Sequence, residues 1–111
     1  MTGQYPSTTR HKVSKDWKDD GKITEFEGRE IMAAQGDRIH AKLTETAVVG
    51  EKYAVYRRDS VDEMDDKDGI YLHRVGVVEV EGPADKGKTI LKIVKSGDAI
   101  QLGDMLKREQ L

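Results

Sequence analysis

The sequence predicts an all-β domain, a small antiparallel β-barrel or β-sandwich of about 5–7 short strands, with a loosely ordered N-terminal segment. Short runs of β-branched and aromatic residues recur about every ten residues along the chain. Glycine-containing turns separate these runs, and no long segment has the 3.6-residue apolar period of an amphipathic helix.

The domain boundaries follow from where this pattern begins and ends. Residues 1–20 have no sustained apolar period and contain Pro6 followed by Ser and Thr, so we expect a flexible leader or linker there. Residues 21–108 carry the strand and turn pattern and are predicted to form one β-rich domain. Residues 109–111 form a short tail.

The first half of the domain contains three apolar runs. Residues 31–34 precede a Gly36-Asp37 turn, residues 38–43 alternate between polar and apolar side chains, and residues 53–57 form a β-branched and aromatic run. Segment 59–68 then holds six carboxylates against one lysine, and it is predicted to be an exposed loop.

The second half contains the longest strand candidate, residues 70–81. Gly76 lies inside it and indicates a bulge or sharp bend, because glycine in a regular strand interior costs stability. Residues 82–87 have turn chemistry, so residues 88–95 are predicted to return as the hairpin partner. Three Gly-Asp pairs, at 36–37, 97–98 and 103–104, are interpreted as turns rather than as catalytic carboxylates.

Composition excludes several classes of function. The 111 residues contain 19 Lys and Arg against 21 Asp and Glu, and this balance argues against a general nucleic-acid binder. Cysteine is absent, which excludes disulfides, thiol nucleophiles and cysteine zinc sites. No apolar run has the length of a membrane span. We therefore expect a small domain that is not an enzyme and carries no cofactor.

Residues 16–27 form the candidate metal site. They match a twelve-residue EF-hand loop with Asp16 at position 1, Asp20 at position 5 and Glu27 at position 12. Lys18 stands at position 3, where an oxygen ligand is required, and the preceding residues show no apolar helix face. A calcium-responsive module with these three ligands is an alternative to the binding function below.

Catalytic motifs are weaker still. His40 and His73 both fall in predicted strands, and a small hydrolase using one of them is a further alternative, without a substrate to suggest. Residues 82–89 match the letters of a phosphate-binding loop, but the following residues predict a strand where such a loop requires a helix.

Tyrosine and arginine residues concentrate on two predicted strands. If those strands are neighbours, the side chains form a recognition surface for a glycan or a protein. The predicted interaction residues are Tyr53, Tyr56, Arg57, Tyr71 and Arg74.

The order of short motifs along residues 21–107, about four fifths of the chain, resembles a known family. A Gly-Asp-hydrophobic turn at 36–39 is followed by Gly-x-x-Tyr-x-Val-Tyr-Arg at 50–57, a Val-Gly-x-Val strand at 75–78 and Ile-x-x-Gly-Asp-x-Leu at 100–106. This order resembles the β-rich C-terminal domain of bacterial LysM peptidoglycan-binding proteins of the cell envelope. A similar order occurs in the C-terminal domain of flagellar ring-associated periplasmic proteins.

The resemblance implies a non-catalytic accessory domain, a spacer or protein-interaction module, in the periplasm or cell envelope. The LysM repeat that binds glycan is not in these residues, so none of its binding residues is assigned to a position in this sequence. The implied partners are cell-wall glycan, through a LysM repeat outside this chain, or an envelope protein. The resemblance also implies that the chain is a C-terminal piece of a longer exported protein, because no export signal is in it.

Overall fold

The computed structural model describes residues 10–14, 16–28, 32–58 and 70–109. Nine strands follow one another in this part of the chain, and one 3-10 turn, at Asp85–Gly87, joins the sixth to the seventh. The strands are β1 (Arg10–Val13), β2 (Gly21–Phe26), β3 (Met32–Ala33), β4 (Arg38–Leu43), β5 (Lys52–Arg58), β6 (Ile70–Pro83), β7 (Thr89–Ser96), β8 (Ile100–Gln101) and β9 (Met105–Arg108).

Six of these strands close into an antiparallel barrel. The order around the wall is β6-β5-β9-β2-β4-β7, and β7 pairs again with β6 to complete the circle. Strand β9, the last in the chain, lies between β5 and β2. The predicted all-β class is therefore confirmed, and of the two predicted architectures it is the barrel that forms.

The barrel interior is filled by the inward side chains of every wall strand. Alternate residues face inward, and every wall strand contributes at least one buried apolar side chain to one core. The two-stranded sheet of β3 and β8 adds Ala33 and Ile100 to the same cluster. Residues that are at most 2% exposed include Ile23, Ile39, Tyr53, Val55, Val78, Leu91, Ile93 and Leu106.

The predicted hairpin is confirmed as β6 and β7, with a distortion at Gly76. Gly76 lies opposite Val55 and Arg74 lies opposite Tyr56, so Val75 is the extra residue of a bulge against β5. A Cβ atom at Gly76 would clash with the main-chain carbonyl oxygen of Lys95. Glycine is required here because β6 and β7 approach each other too closely for a side chain.

Strand β1 lies within residues 1–20, the segment predicted to be a flexible leader. Residues 10–13 form β1 and pair with the first four residues of β6, from Arg10 opposite His73 to Val13 opposite Ile70. Downstream of β1, the Asp20 amide donates to the carbonyl of Leu106 at 2.7 Å. Sequence pattern missed β1 because four residues are too few to show a period. Residues 1–9 lie outside the described ranges.

The Gly-Asp pairs at 36–37 and 103–104 are turns, as predicted. Gly36 and Gly103 have φ values of 96° and 87°, which glycine adopts without a steric penalty. In both turns the aspartate carboxylate accepts a main-chain hydrogen bond from three residues upstream, at 2.9 Å. Asp98 of the third pair accepts from the next amide, that of Ala99, at 2.8 Å.

Candidate functional site

A row of outward-facing side chains crosses five strands of the barrel wall. Residues paired directly across neighbouring strands share one face of a sheet. The pairings link one residue of β6, β5, β9, β2 and β4 in succession. We call these residues the cross-strand row: Arg74, Tyr56, Met105, Lys22 and Lys42.

Trp17 packs beside this row, on the segment between β1 and β2. Its ring meets the Tyr56 ring edge-on, with centroids 6.0 Å apart and an interplanar angle of 83°. The Lys107 ammonium lies 5.5 Å from the centre of the Trp17 ring, within cation–π range. Lys107 also donates to the carbonyl oxygen of Lys18 at 2.8 Å, which ties this segment to β9. We call Trp17, Tyr56 and Lys107 the Trp17 cluster.

Two shallow cavities flank the Trp17 cluster. One, of about 400 Å³, is lined by Trp17, Lys18, Asp19, Arg58 and Met105. The other, of about 360 Å³, is lined by Ala54, Tyr56, Arg74, Lys107, Arg108 and Glu109. Both are open depressions that combine aromatic and cationic side chains, so they suit contact with a surface or a polymer more than enclosure of a small molecule.

The cations of this wall differ in how they are compensated. Arg74 forms an ion pair with Glu109 at 2.7 Å, and Lys107 lies 3.7 Å from an Asp20 carboxylate oxygen. Lys22 and Lys42 are exposed and directly opposite each other, and neither side chain forms an ion pair or hydrogen bond within the described residues. The wall therefore presents uncompensated positive charge.

The net charge of the whole chain does not reveal the positive charge of this wall. Segment 59–69 contains six of the 21 carboxylates and one of the 19 Lys and Arg residues, so its charge is −5. Because the chain total is −2, the remainder carries +3. The balanced composition thus comes from an acidic segment joined to a remainder with an excess of three cationic residues.

Of the predicted interaction residues, Tyr56 and Arg74 lie together on the outer wall, opposite each other on β5 and β6. Tyr71 is half-buried and lies opposite Lys12 of β1. Tyr53 is 2% exposed and belongs to the barrel core, so it contributes no surface for a partner. Burial is also the main cause that raises the pKa of the Tyr53 phenol, with Glu51 adding to it.

Arg57 is also occupied by the fold itself. Its Nε and Nη2 atoms donate to both carboxylate oxygens of Asp104, at 2.9 and 2.8 Å, and Nη2 donates to the Ala99 carbonyl at 2.8 Å. Asp104 is 4% exposed, and its hydrogen bonds to the guanidinium are the main cause that raises the pKa of Arg57. This arginine joins β5 to the turn before β9, and 29% of its side chain remains exposed.

The calcium candidate does not assemble. Strand β2 separates Asp20 from Glu27, and an extended strand of six residues spans about 20 Å. Asp20 accepts from the Arg108 amide at 2.8 Å, whereas Glu27 pairs with His40 Nε2 at 3.2 Å. Asp16 is exposed on a turn before Trp17. Within the described ranges, no three His, Cys, Asp or Glu side chains group as a metal site.

The two histidines of the hydrolase alternative lie on different parts of the wall. His40 is on β4 beside Glu27, and His73 is on β6 opposite Arg57. These strands are not neighbours in the barrel, because β7 lies between them on one side. The hydrolase alternative, which uses only one of these histidines, stays a prediction.

Comparisons of the chain with protein-family models, with curated proteins and with solved structures found no match. In the described part of the chain, no helix has the length and apolar character needed to cross a membrane.

Sequence reasoning missed Trp17, Lys22 and Lys42. The only tryptophan of the chain stood in a segment interpreted as a leader, and a large aromatic residue among charged ones was the available signal. The two lysines alternate with buried residues of β2 and β4, but their proximity depends on strand register, which sequence alternation does not specify.

Proposed function

We propose that the chain is a non-catalytic accessory domain of a LysM-type protein of the cell envelope. In this role the barrel is a rigid spacer whose outer wall contacts an envelope partner beside the attached glycan-binding repeat. The observation that carries the proposal is the Trp17 cluster, whose half-buried aromatic and basic side chains lie on the outer wall of a closed and filled barrel.

The rigidity of this surface supports a binding role. Tyr56 and Lys107 lie on strands β5 and β9, which pair over four residues and whose inward neighbours Val55 and Leu106 are fully buried. Side chains held on a packed sheet lose little conformational entropy when a partner binds. Aromatic residues and arginine are also enriched in protein interfaces.

The order of motifs supports the envelope assignment. The Gly-Asp turns and the strand Lys52–Arg58 are the elements that carry the resemblance to LysM-associated domains, and the fold uses each of them for a turn or a wall strand. Asp104 of the last Gly-Asp turn and Arg57 of the strand motif form an ion pair that ties this turn to the wall.

Site-specific photo-crosslinking in the native cells tests the proposal. A photoreactive phenylalanine analogue would replace Met105, which lines the cavity beside Trp17, and the same analogue at Lys95 provides the control on β7. We expect adducts from position 105 in the envelope fraction and few from position 95. Equal adducts at both positions, or adducts confined to the cytosolic fraction, would contradict the proposal.

A further inference from the structure

Two adjacent valines are exposed on the loop that joins β4 to β5. Among the described residues only three large hydrophobic side chains are exposed, and two of them are Val48, at 58%, and Val49, at 68%. The loop joins strands that lie three places apart around a wall of six, so it crosses one end of the barrel. Ala47 of the same loop packs against the core, whereas the two valines remain in solvent.

Main-chain hydrogen bonds hold the two valines in this exposed position. The Glu51 amide donates to the Val48 carbonyl at 3.0 Å, and Gly50 has a φ of 94°, so residues 48–51 form a tight turn. This turn is fixed to β6, because the Gly50 amide donates to the Val80 carbonyl at 3.0 Å and the Val80 amide donates to the Glu51 carbonyl at 2.9 Å. Covering the valines therefore requires a second surface rather than a rearrangement of the loop.

Val49 forms a ridge between two open depressions at this end of the barrel. It lines both of them, one of about 360 Å³ and the other of about 610 Å³. The aliphatic residues that line the smaller depression with Val49 are Leu43, Ala47, Val80, Pro83 and Ala84. A projecting apolar residue and an apolar depression thus lie side by side on one face of the molecule.

The charged side chains around this ridge balance one another. Three are basic and three are acidic, and Arg108 forms ion pairs with two of the carboxylates, both at 3.2 Å. A face with this balance gives no advantage to a partner of one charge sign, such as a polyanion or an anionic lipid surface. The six residues are Lys52, Lys88, Arg108, Glu45, Glu51 and Glu109.

A face with these properties is complementary to a second copy of itself. A two-fold symmetric dimer uses the same patch on both subunits, so the patch must supply both halves of every contact. Here the Val49 ridge of one copy can enter the smaller depression of the other, in both directions at once. The mixed rim also offers each charge an opposite charge on the facing copy.

We propose that the chain forms a two-fold symmetric dimer through this end of the barrel, with Val48 and Val49 of each copy packed against the smaller depression of the other. A contact of this small size gives weak association, so we expect the dimer at concentrations of about 100 µM and above. A chain that remains monomeric would leave the proposed function unaffected, because that function rests on the Trp17 cluster.

Sedimentation equilibrium of the purified chain, from about 10 µM to about 1 mM, measures the association. We expect the average mass to rise from monomer towards dimer, and to do so in about 0.5 M salt as well, because salt does not screen apolar contacts. Val48→Ser/Val49→Ser should raise the dimer dissociation constant at least about tenfold. The control is Leu102→Ser, which changes the third exposed hydrophobic residue, at 55%, and should dimerise like wild type.

Single-cysteine variants locate the interface, because the chain has no cysteine of its own. Leu102 precedes β9, whose first residue, Met105, pairs with Tyr56 far from the β4–β5 loop, so it lies at the opposite end of the barrel. With a short bismaleimide at about 100 µM, Val48→Cys should form a covalent dimer and Leu102→Cys should not.

Circular dichroism checks that each variant folds, as expected for changes at exposed positions. A chain that stays monomeric at about 1 mM would overturn the proposal. So would a dimer that Val48→Ser/Val49→Ser does not weaken, or crosslinking of Leu102→Cys as efficient as that of Val48→Cys.

Discussion

Replacing Asp104 with Ala tests whether the Arg57–Asp104 ion pair stabilises the barrel. The change leaves the guanidinium without either carboxylate oxygen and removes the acceptor of the Gln101 amide. Breaking a fully buried ion pair costs about 3–5 kcal/mol. Arg57 is 29% exposed, so water partly replaces its lost partner. The unpaired Gln101 amide adds about 1 kcal/mol, and we expect a total loss near 3 kcal/mol.

Urea unfolding followed by circular dichroism measures this loss. For a domain of this size, a loss of about 3 kcal/mol corresponds to a fall of about 15 °C in Tm. The slope of the free energy of unfolding against urea concentration should stay unchanged. The matched control is Glu81→Ala, which breaks an exposed ion pair with Arg38 and is expected to cost less than about 1 kcal/mol. A loss for Asp104→Ala no larger than that of the control would refute the reasoning.

Three further predictions concern the wall and the core. Gly76→Ala is expected to destabilise the fold by about 3 kcal/mol in urea unfolding, because the new Cβ meets the Lys95 carbonyl oxygen. The control Gly82→Ala places its Cβ in open space and should cost under about 1 kcal/mol. Similar losses of stability for the two variants would contradict this prediction. Lys42→Glu should raise the free energy of unfolding by about 0.5 kcal/mol at low salt, since it turns a like-charge pair into an opposite-charge pair, and the gain should shrink at 1 M salt. Burial raises the pKa of Tyr53, so in an absorbance titration this phenol should ionise above its ordinary range. The stability that depends on the neutral phenol is present below the unfolded pKa near 10 and should fall as pH rises above it, and Tyr53→Phe should remove this part of the absorbance change.

Local features of the fold were predictable because they depend on neighbouring residues. The β6–β7 hairpin followed from turn residues between two apolar runs, and Gly76 indicated the bulge. Closure of the barrel was not predictable in this way. It depends on β9 entering between β5 and β2, and a four-residue strand carries too little pattern to choose its neighbours.

The binding surface was predicted only in part. Tyr53 and Tyr56 are three residues apart on one strand, so the period of two places them on opposite faces, and one surface could not contain both. Arg57 was misassigned because its carboxylate partner is 47 residues away along the chain. Such a distant pairing leaves no local signal in the sequence.

Co-sedimentation with purified peptidoglycan sacculi, an anionic glycan polymer, tests most directly whether the outer wall is the binding surface. At low salt we expect the wild-type chain and the Lys52→Gln/Lys95→Gln control to pellet with the sacculi, and the Lys22→Gln/Lys42→Gln variant to remain largely in the supernatant. At physiological salt the pelleted fraction of wild type should fall, because the contacts are exposed charges. A Lys22→Gln/Lys42→Gln variant that pellets like wild type would contradict the account, and a wild-type chain that stays in the supernatant at low salt would show that the partner of the wall is not cell-wall glycan.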